Sequence, residues 1–132
     1  MSQHAPPSRR PRFNRLDPPR GGVGLHALSV AVQVATAVGE VVVARGVSHL
    51  KDHLVRAADN TALRLSEASG RTLGNRYQHL EAAYAENQEV QCDLVLLRSR
   101  GVEIPAAVAA EANRLGGMIY GLLRAEVAGR QR

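Results

Sequence analysis

Apolar residues recur at spacings of three and four from about residue 23 to the end of the chain, and no stretch alternates with a period of two. That periodicity predicts helices and no strands. The first helix is expected from about Gly24 to Ala44, with Arg45-Gly46 ending it, since glycine commonly follows the last helical turn. Ser29, Gln33, Thr36 and Glu40 draw one narrow polar stripe along it, and nearly every other position is apolar. A helix apolar around most of its circumference is usually buried on more than one side, so this one should touch the other three helices and also a neighbouring subunit. Leu28, Val32, Val34, Val38 and Val41 are therefore the candidate oligomer-interface residues.

The second helix is expected to open after Ser48, a good N-cap, and to stop at Ser69-Gly70. Leu50, Leu54, Ala57, Thr61, Leu65 and Ala68 form its bundle-facing seam. The third should start at Asn75, where Asn75 and Gln78 have capping-box spacing, and run to about Arg100. Tyr77, Leu80, Tyr84, Asn87, Gln91 and Leu94 follow the same alternation, with Ala83, Val90 and Leu97 widening the stripe. Asn87 is the odd member, and its expected role is to set helix register. The fourth should begin at Pro105 and reach about Val127, with Val108, Ala112, Leu115, Ile119 and Leu122 inward. Gly116, Gly117 and Gly121 inside it each cost up to ~1 kcal/mol relative to alanine. They are expected where another helix comes close, with Ala57, Ala58 and Ala62 or the first helix as partners. Short breaks between four such segments give an all-α, up-down-up-down four-helix bundle over residues 23–132.

Residues 1–22 are different in kind. They hold five of the six prolines and end in Gly21-Gly22, a composition that supports neither helix nor strand, so a disordered, solvated tail is expected. Arg9, Arg10, Arg12, Arg15 and Arg20 against Asp17 give it +4 of the chain's net +5. An arginine-rich start before an apolar run superficially resembles an export signal, but the prolines, Gln33 and the loss of the first helix weigh against one. A membrane span is opposed by His26, Gln33 and Glu40. The expected location is cytoplasmic.

Chemistry-bearing groups are sparse. Three Tyr, one Phe and no Trp leave the core to Ala, Val and Leu and argue against base stacking on aromatics as the mode of binding. Cys92 is expected to be a small buried hydrophobe. His49 and His53 share a helix face with Asp52 between them, but the Glu-x-x-His pairs of di-iron bundles are absent, and a solvated, histidine-rich helix start is the better reading. Glu81, Glu86 and Glu89 fit surface or intersubunit ion pairs better than acid/base catalysis. Neither a catalytic residue nor a metal or cofactor site is assigned, and no enzyme activity is expected.

Sixteen of the seventeen basic residues are arginine, the side chain suited to bidentate contact with phosphate or carboxylate. Bundle topology would bring the tail, Arg71, Arg76, Arg124, Arg130 and Arg132 to one end. The candidate nucleic-acid contacts are Arg9, Arg10, Arg12, Arg15, Arg20, Arg71, Arg76 and Arg124. Set against this, Arg124 and Arg130 also suit the C-terminal end of a helix dipole.

The segment Leu54-Val-Arg-Ala-Ala-Asp-Asn-Thr-Ala-Leu-Arg-Leu-Ser-Glu-Ala-Ser-Gly-Arg71 resembles the signature of the four-helix-bundle proteins first noticed in ribosomal-RNA intervening sequences. Asn75-Arg-Tyr-Gln-His-Leu-Glu-Ala-Ala-Tyr-Ala-Glu-Asn-Gln-Glu89 and Arg114-Leu-Gly-Gly-Met-Ile-Tyr-Gly-Leu-Leu-Arg124 are similar to its later segments. Arg56, Ala57, Glu67, Gly70, Arg71, Arg76 and Glu89 stand on family positions. Arg64, Ser66, Ala68 and Asn87 depart from them. The resemblance implies a left-handed bundle and a homopentamer. A related branch, the accessory variability determinants of diversity-generating retroelements, implies RNA or DNA and a reverse transcriptase as partners, although the folded part here lacks that branch's strong positive charge. The alternative is an interaction module that recruits a protein partner without nucleic acid.

Overall fold

The computed structural model describes residues 25–70 and 73–130. Four helices, α1 (Leu25–Gly39), α2 (Ser48–Ser69), α3 (Leu73–Ser99) and α4 (Ala106–Arg130), are joined in order, with a short 3₁₀ turn at Arg45–Val47 before α2. Among the described residues there is no strand. Contacts run α1 to α2, α2 to α3, α3 to α4 and α4 back to α1, so the helices stand at the corners of a square. Successive helices are antiparallel. Lys51 Nζ near the start of α2 donates to the Gly39 carbonyl at the end of α1, and Asn87 in α3 reaches Ala112 in the first half of α4. This is the up-down-up-down four-helix bundle the periodicity predicts.

The buried hydrophobics of the described residues are all Ala, Val, Leu or Ile, and Thr61, Asn87, Asp93 and Glu126 are buried among them. The predicted seam of α2 is buried from Leu54 through Ala68, with Leu50 half-buried at its start. In α3, Leu80, Ala83, Asn87, Val90, Leu94 and Leu97 are buried, while Tyr77, Tyr84 and Gln91 are half-buried. The seam of α3 therefore lies to one side of the predicted stripe. Its helix is already running at Leu73, so Asn75 and Gln78 form no cap, and Val47, not Ser48, precedes the first turn of α2 without any side-chain cap.

The first helix differs most from expectation. It stops at Gly39, five residues before Ala44. Glu40 and Val41 donate to the carbonyls of Ala37 and Val38, three residues back, which tightens the last turn. The β-branched run Val41-Val42-Val43 then leaves the helix, consistent with its stiffness at χ1. Val41 turns inward while Val42 is 86% exposed. The helix packs chiefly against α2 and α4, with α3 across the diagonal. Its polar stripe is on the outside, with Gln33, Thr36 and Glu40 exposed and Ser29 half-buried.

At the other hairpin, Gly101 has φ 86°. Val102 N–H bonds to the Leu97 carbonyl and Gly101 N–H to the Arg98 carbonyl, the paired pattern by which a left-handed glycine closes a helix.

The α4 glycines divide. A methyl carbon at Gly116 would lie 3.0 Å from Gln91 Nε2 and 3.1 Å from Asn87 Nδ2, whereas Gly117 and Gly121 have nothing within 4 Å. The close approach is thus to α3, not to α2 or α1, and it serves one glycine. Asn87 cannot retreat freely, because its Nδ2 donates to the Ala112 carbonyl at 3.0 Å within the core. Gly117→Ala should therefore raise stability by about 0.5–1 kcal/mol through helix propensity. Gly116→Ala should instead lower it by about 1 kcal/mol through overpacking. Urea unfolding at matched protein concentration distinguishes the two, and equal shifts would refute the close-approach argument.

Candidate functional site

The arginine-bearing end lies where α2 leaves and α3 begins. Of the candidate nucleic-acid contacts, Arg9, Arg10, Arg12, Arg15, Arg20 and Arg71 lie outside the described residues. Arg76 and Arg124 are placed, and they do different things.

Arg76 turns inward. Its side chain is 18% exposed, its Nη1 lies 4.0 Å from Glu126 Oε1, and its Nε donates to the Ala68 carbonyl at 3.2 Å. One guanidinium thereby ties the end of α2, the start of α3 and the end of α4. Glu126 is buried, and its Oε2 has no hydrogen-bond partner among the described residues. A desolvated carboxylate depends on the cation beside it. Arg76 is consequently a structural cation rather than a displayed phosphate contact, a correction to the sequence expectation. Arg64 is engaged as well, 3.4 Å from Glu67, whose carboxylate is also 3.0 Å from His79 Nδ1.

Arg124 is exposed and has no carboxylate partner among the described residues. It lies over Tyr120, 6.0 Å from the ring centroid. Tyr120 in turn meets Tyr84, with centroids 6.1 Å apart and planes at 48°. Tyr77, Tyr120, Leu123, Arg124, Val127 and Ala128 line a groove of about 400 Å³ between α3 and α4. All three tyrosines of the chain therefore share one outer face. Tyr120 is 51% and Val127 39% exposed. Sequence reasoning missed this face because it placed Tyr77 and Tyr84 on the inner seam. The available signal was size: a core of small aliphatics has no room for these rings.

The predicted oligomer-interface residues are mostly used inside the chain. Leu28, Val34, Val38 and Val41 are each at most 5% exposed, packed among the four helices of their own bundle, and so have no surface to offer a second subunit. Val32 alone is half-buried. With Ala35, Thr36, Asp59, Ala62 and Leu63 it lines a groove of about 490 Å³ between α1 and α2, and Leu63 there is 60% exposed.

The histidines of α2 also part company. His49 is exposed, but His53 is more than a solvated residue: its Nδ1 lies 2.5 Å from Asp93 Oδ2 and its Nε2 3.7 Å from Glu89 Oε1, bridging α2 to α3. The two carboxylates approach opposite ring nitrogens and do not converge on one point. No group of three His, Cys, Asp or Glu side chains fit to hold a metal ion occurs among the described residues. Cys92 is exposed, contrary to expectation, because two residues beyond buried Val90 an α-helix has turned by about 200°. No helix among the described residues is long and apolar enough to cross a membrane.

No family model, curated protein or solved structure matches the chain.

Two predictions follow from the polar ties. The hydrogen bond to Asp93, then the charges of Asp93 and Glu89, hold the His53 pKa above its ordinary 6.5, with partial burial and Arg56 opposing. A raised folded-state pKa gives stabilisation that is complete below about pH 6.5 and lost as pH rises through the folded value. The side chain is 46% exposed, so solvent keeps the effect small. Urea midpoints should fall as pH rises above about 6.5 in the wild type and lose that component in His53→Gln; parallel profiles would remove the bridge. Separately, Arg76→Gln should cost about 2 kcal/mol, through Glu126 and the Ala68 carbonyl, while Arg124→Gln stays within about 0.5 kcal/mol. Chemical denaturation of both variants is the check.

Proposed function

We propose that this chain is a non-enzymatic, homo-oligomeric adaptor that engages nucleic acid through its basic N-terminal segment. The observation that supports it most is the segregation of charge. Residues 1–22 carry +4 and the other 110 residues +1, so phosphate attraction resides mainly in one short segment. Arg64 and Arg76 are held by acids of their own chain and contribute less. The binding so described is electrostatic and carries no element that reads base edges. The resemblance to the ribosomal-RNA intervening-sequence proteins adds the pentamer, and the related accessory variability determinants add a reverse transcriptase as the associated protein, though the folded part lacks their strong positive charge.

The exposed Tyr120 and Val127 favour a second reading, a protein-recruiting module that needs no nucleic acid, since tyrosine and arginine are enriched where proteins bind one another. Fluorescence anisotropy with labelled RNA and DNA separates the readings. The adaptor reading expects affinity that falls steeply with salt and is largely lost on deleting residues 1–22. Absence of binding at low salt would end it and leave the protein-recruiting reading.

A further inference from the structure

Neighbour relations around the bundle put the α1–α2 pair and the α3–α4 pair on opposite sides. Each side carries exposed apolar surface that the chain itself does not cover. On the first, Leu63 stands 60% exposed beside Val32, Ala35 and Ala62; on the second, Tyr120 and Val127 stand 51% and 39% exposed. Three of the five exposed large hydrophobics of the described residues therefore lie on these two faces. Each groove also has one charged lining residue, and the signs are opposite: Asp59 among α1 and α2, Arg124 between α3 and α4. Neither has a carboxylate or cation partner within its own chain among the described contacts.

We infer that the occupant of each face is the opposite face of a second copy, with the exposed Tyr120 and Val127 side chains of one subunit packed against Val32 and Leu63 of the next and Arg124 directed toward Asp59. A contact between two different patches is heterologous. Every added copy leaves one face of each kind open, so copies add head to tail until rotation closes a ring. An isolated chain leaves both faces wet and both charges unpaired. The first helix contributes only its flank, through Val32 and Ala35, which reconciles its burial within the bundle with a role in assembly. This inference rests on the self-association in the proposed function and supplies its surface.

Light scattering coupled to size-exclusion chromatography on the full chain tests it, with circular dichroism confirming the helical fold of each variant. The wild type should be larger than one chain. Asp59→Arg and Arg124→Glu should each weaken association by at least about tenfold, and the double variant should recover most of it. Leu63→Ser, an exposed position that the fold does not need, should also lower the mass. A wild type that stays a monomer, charge reversals that leave the mass unchanged, or a double variant as dissociated as the singles would each overturn the inference. Anisotropy on the Asp59→Arg and Leu63→Ser variants keeps the two proposals apart. A monomeric wild type that binds nucleic acid sinks only the interface, and an assembled protein that binds none sinks only the nucleic-acid reading.

Discussion

The rest of the structure depends on the thinness of its core. Every buried hydrophobic among the described residues is Ala, Val, Leu or Ile, and small side chains bury enough apolar surface only when helices pack closely along their whole length. That requirement absorbs the inner face of α1 completely, from Ala27 to Val38. It also leaves no space for rings. Tyr77 and Tyr84 are held at the margin and Tyr120 outside, so the aromatic face is a consequence of how the interior is filled. The same thinness puts one helix's side chains within reach of another's backbone, as when Asn87 bonds to Ala112 across the position where Gly116 lacks a side chain.

Polar groups between helices then decide alignment. Asn87 ties α3 to α4, Asp93 ties α3 to α2 through His53, and Arg76 with Glu126 joins α2, α3 and α4. Sliding any of these helices by a turn would keep much of the aliphatic contact, which is chemically uniform, but would strand a buried amide or carboxylate without its partner. Such stranding costs on the order of 1–3 kcal/mol per group, enough to select one register among several of similar packing. By contrast, α1 is tied mainly by Lys51 to the Gly39 carbonyl and by a 3.4 Å contact between Arg114 and His26. Its alignment rests chiefly on aliphatic packing.

The helices and their inner seams were legible because a 3.6-residue period survives in the order of residues without knowledge of neighbours. The stripe that Gln33, Thr36 and Glu40 draw in the sequence lies on the exposed side of α1. What periodicity cannot supply is which partner an apolar face meets. The valines of α1 look like surplus surface in sequence, yet α2 and α4 bury them on both flanks. Likewise Asp93 is 40 residues from His53, and the tyrosines meet only after α3 and α4 fold back. Arg76 and Arg124 illustrate the same limit for charge: identical side chains at one end of the bundle, one turned into the structure by a buried acid and the other left outside over a ring.

That division bears on how a self-associating, nucleic-acid-binding reading would work. The arginines that brace the fold are not the ones that carry the net charge: Arg64 and Arg76 are held by Glu67 and Glu126, whereas +4 of the chain's +5 lies in residues 1–22. On the proposed reading, salt would release nucleic acid while the bundle and its apolar contacts persist, since screening acts on exposed charges and hardly on buried surface. Assembly would then serve binding by number: each subunit added to the contact between the α1–α2 and α3–α4 faces brings another basic segment, and linked weak phosphate contacts gain from the raised local concentration of the others.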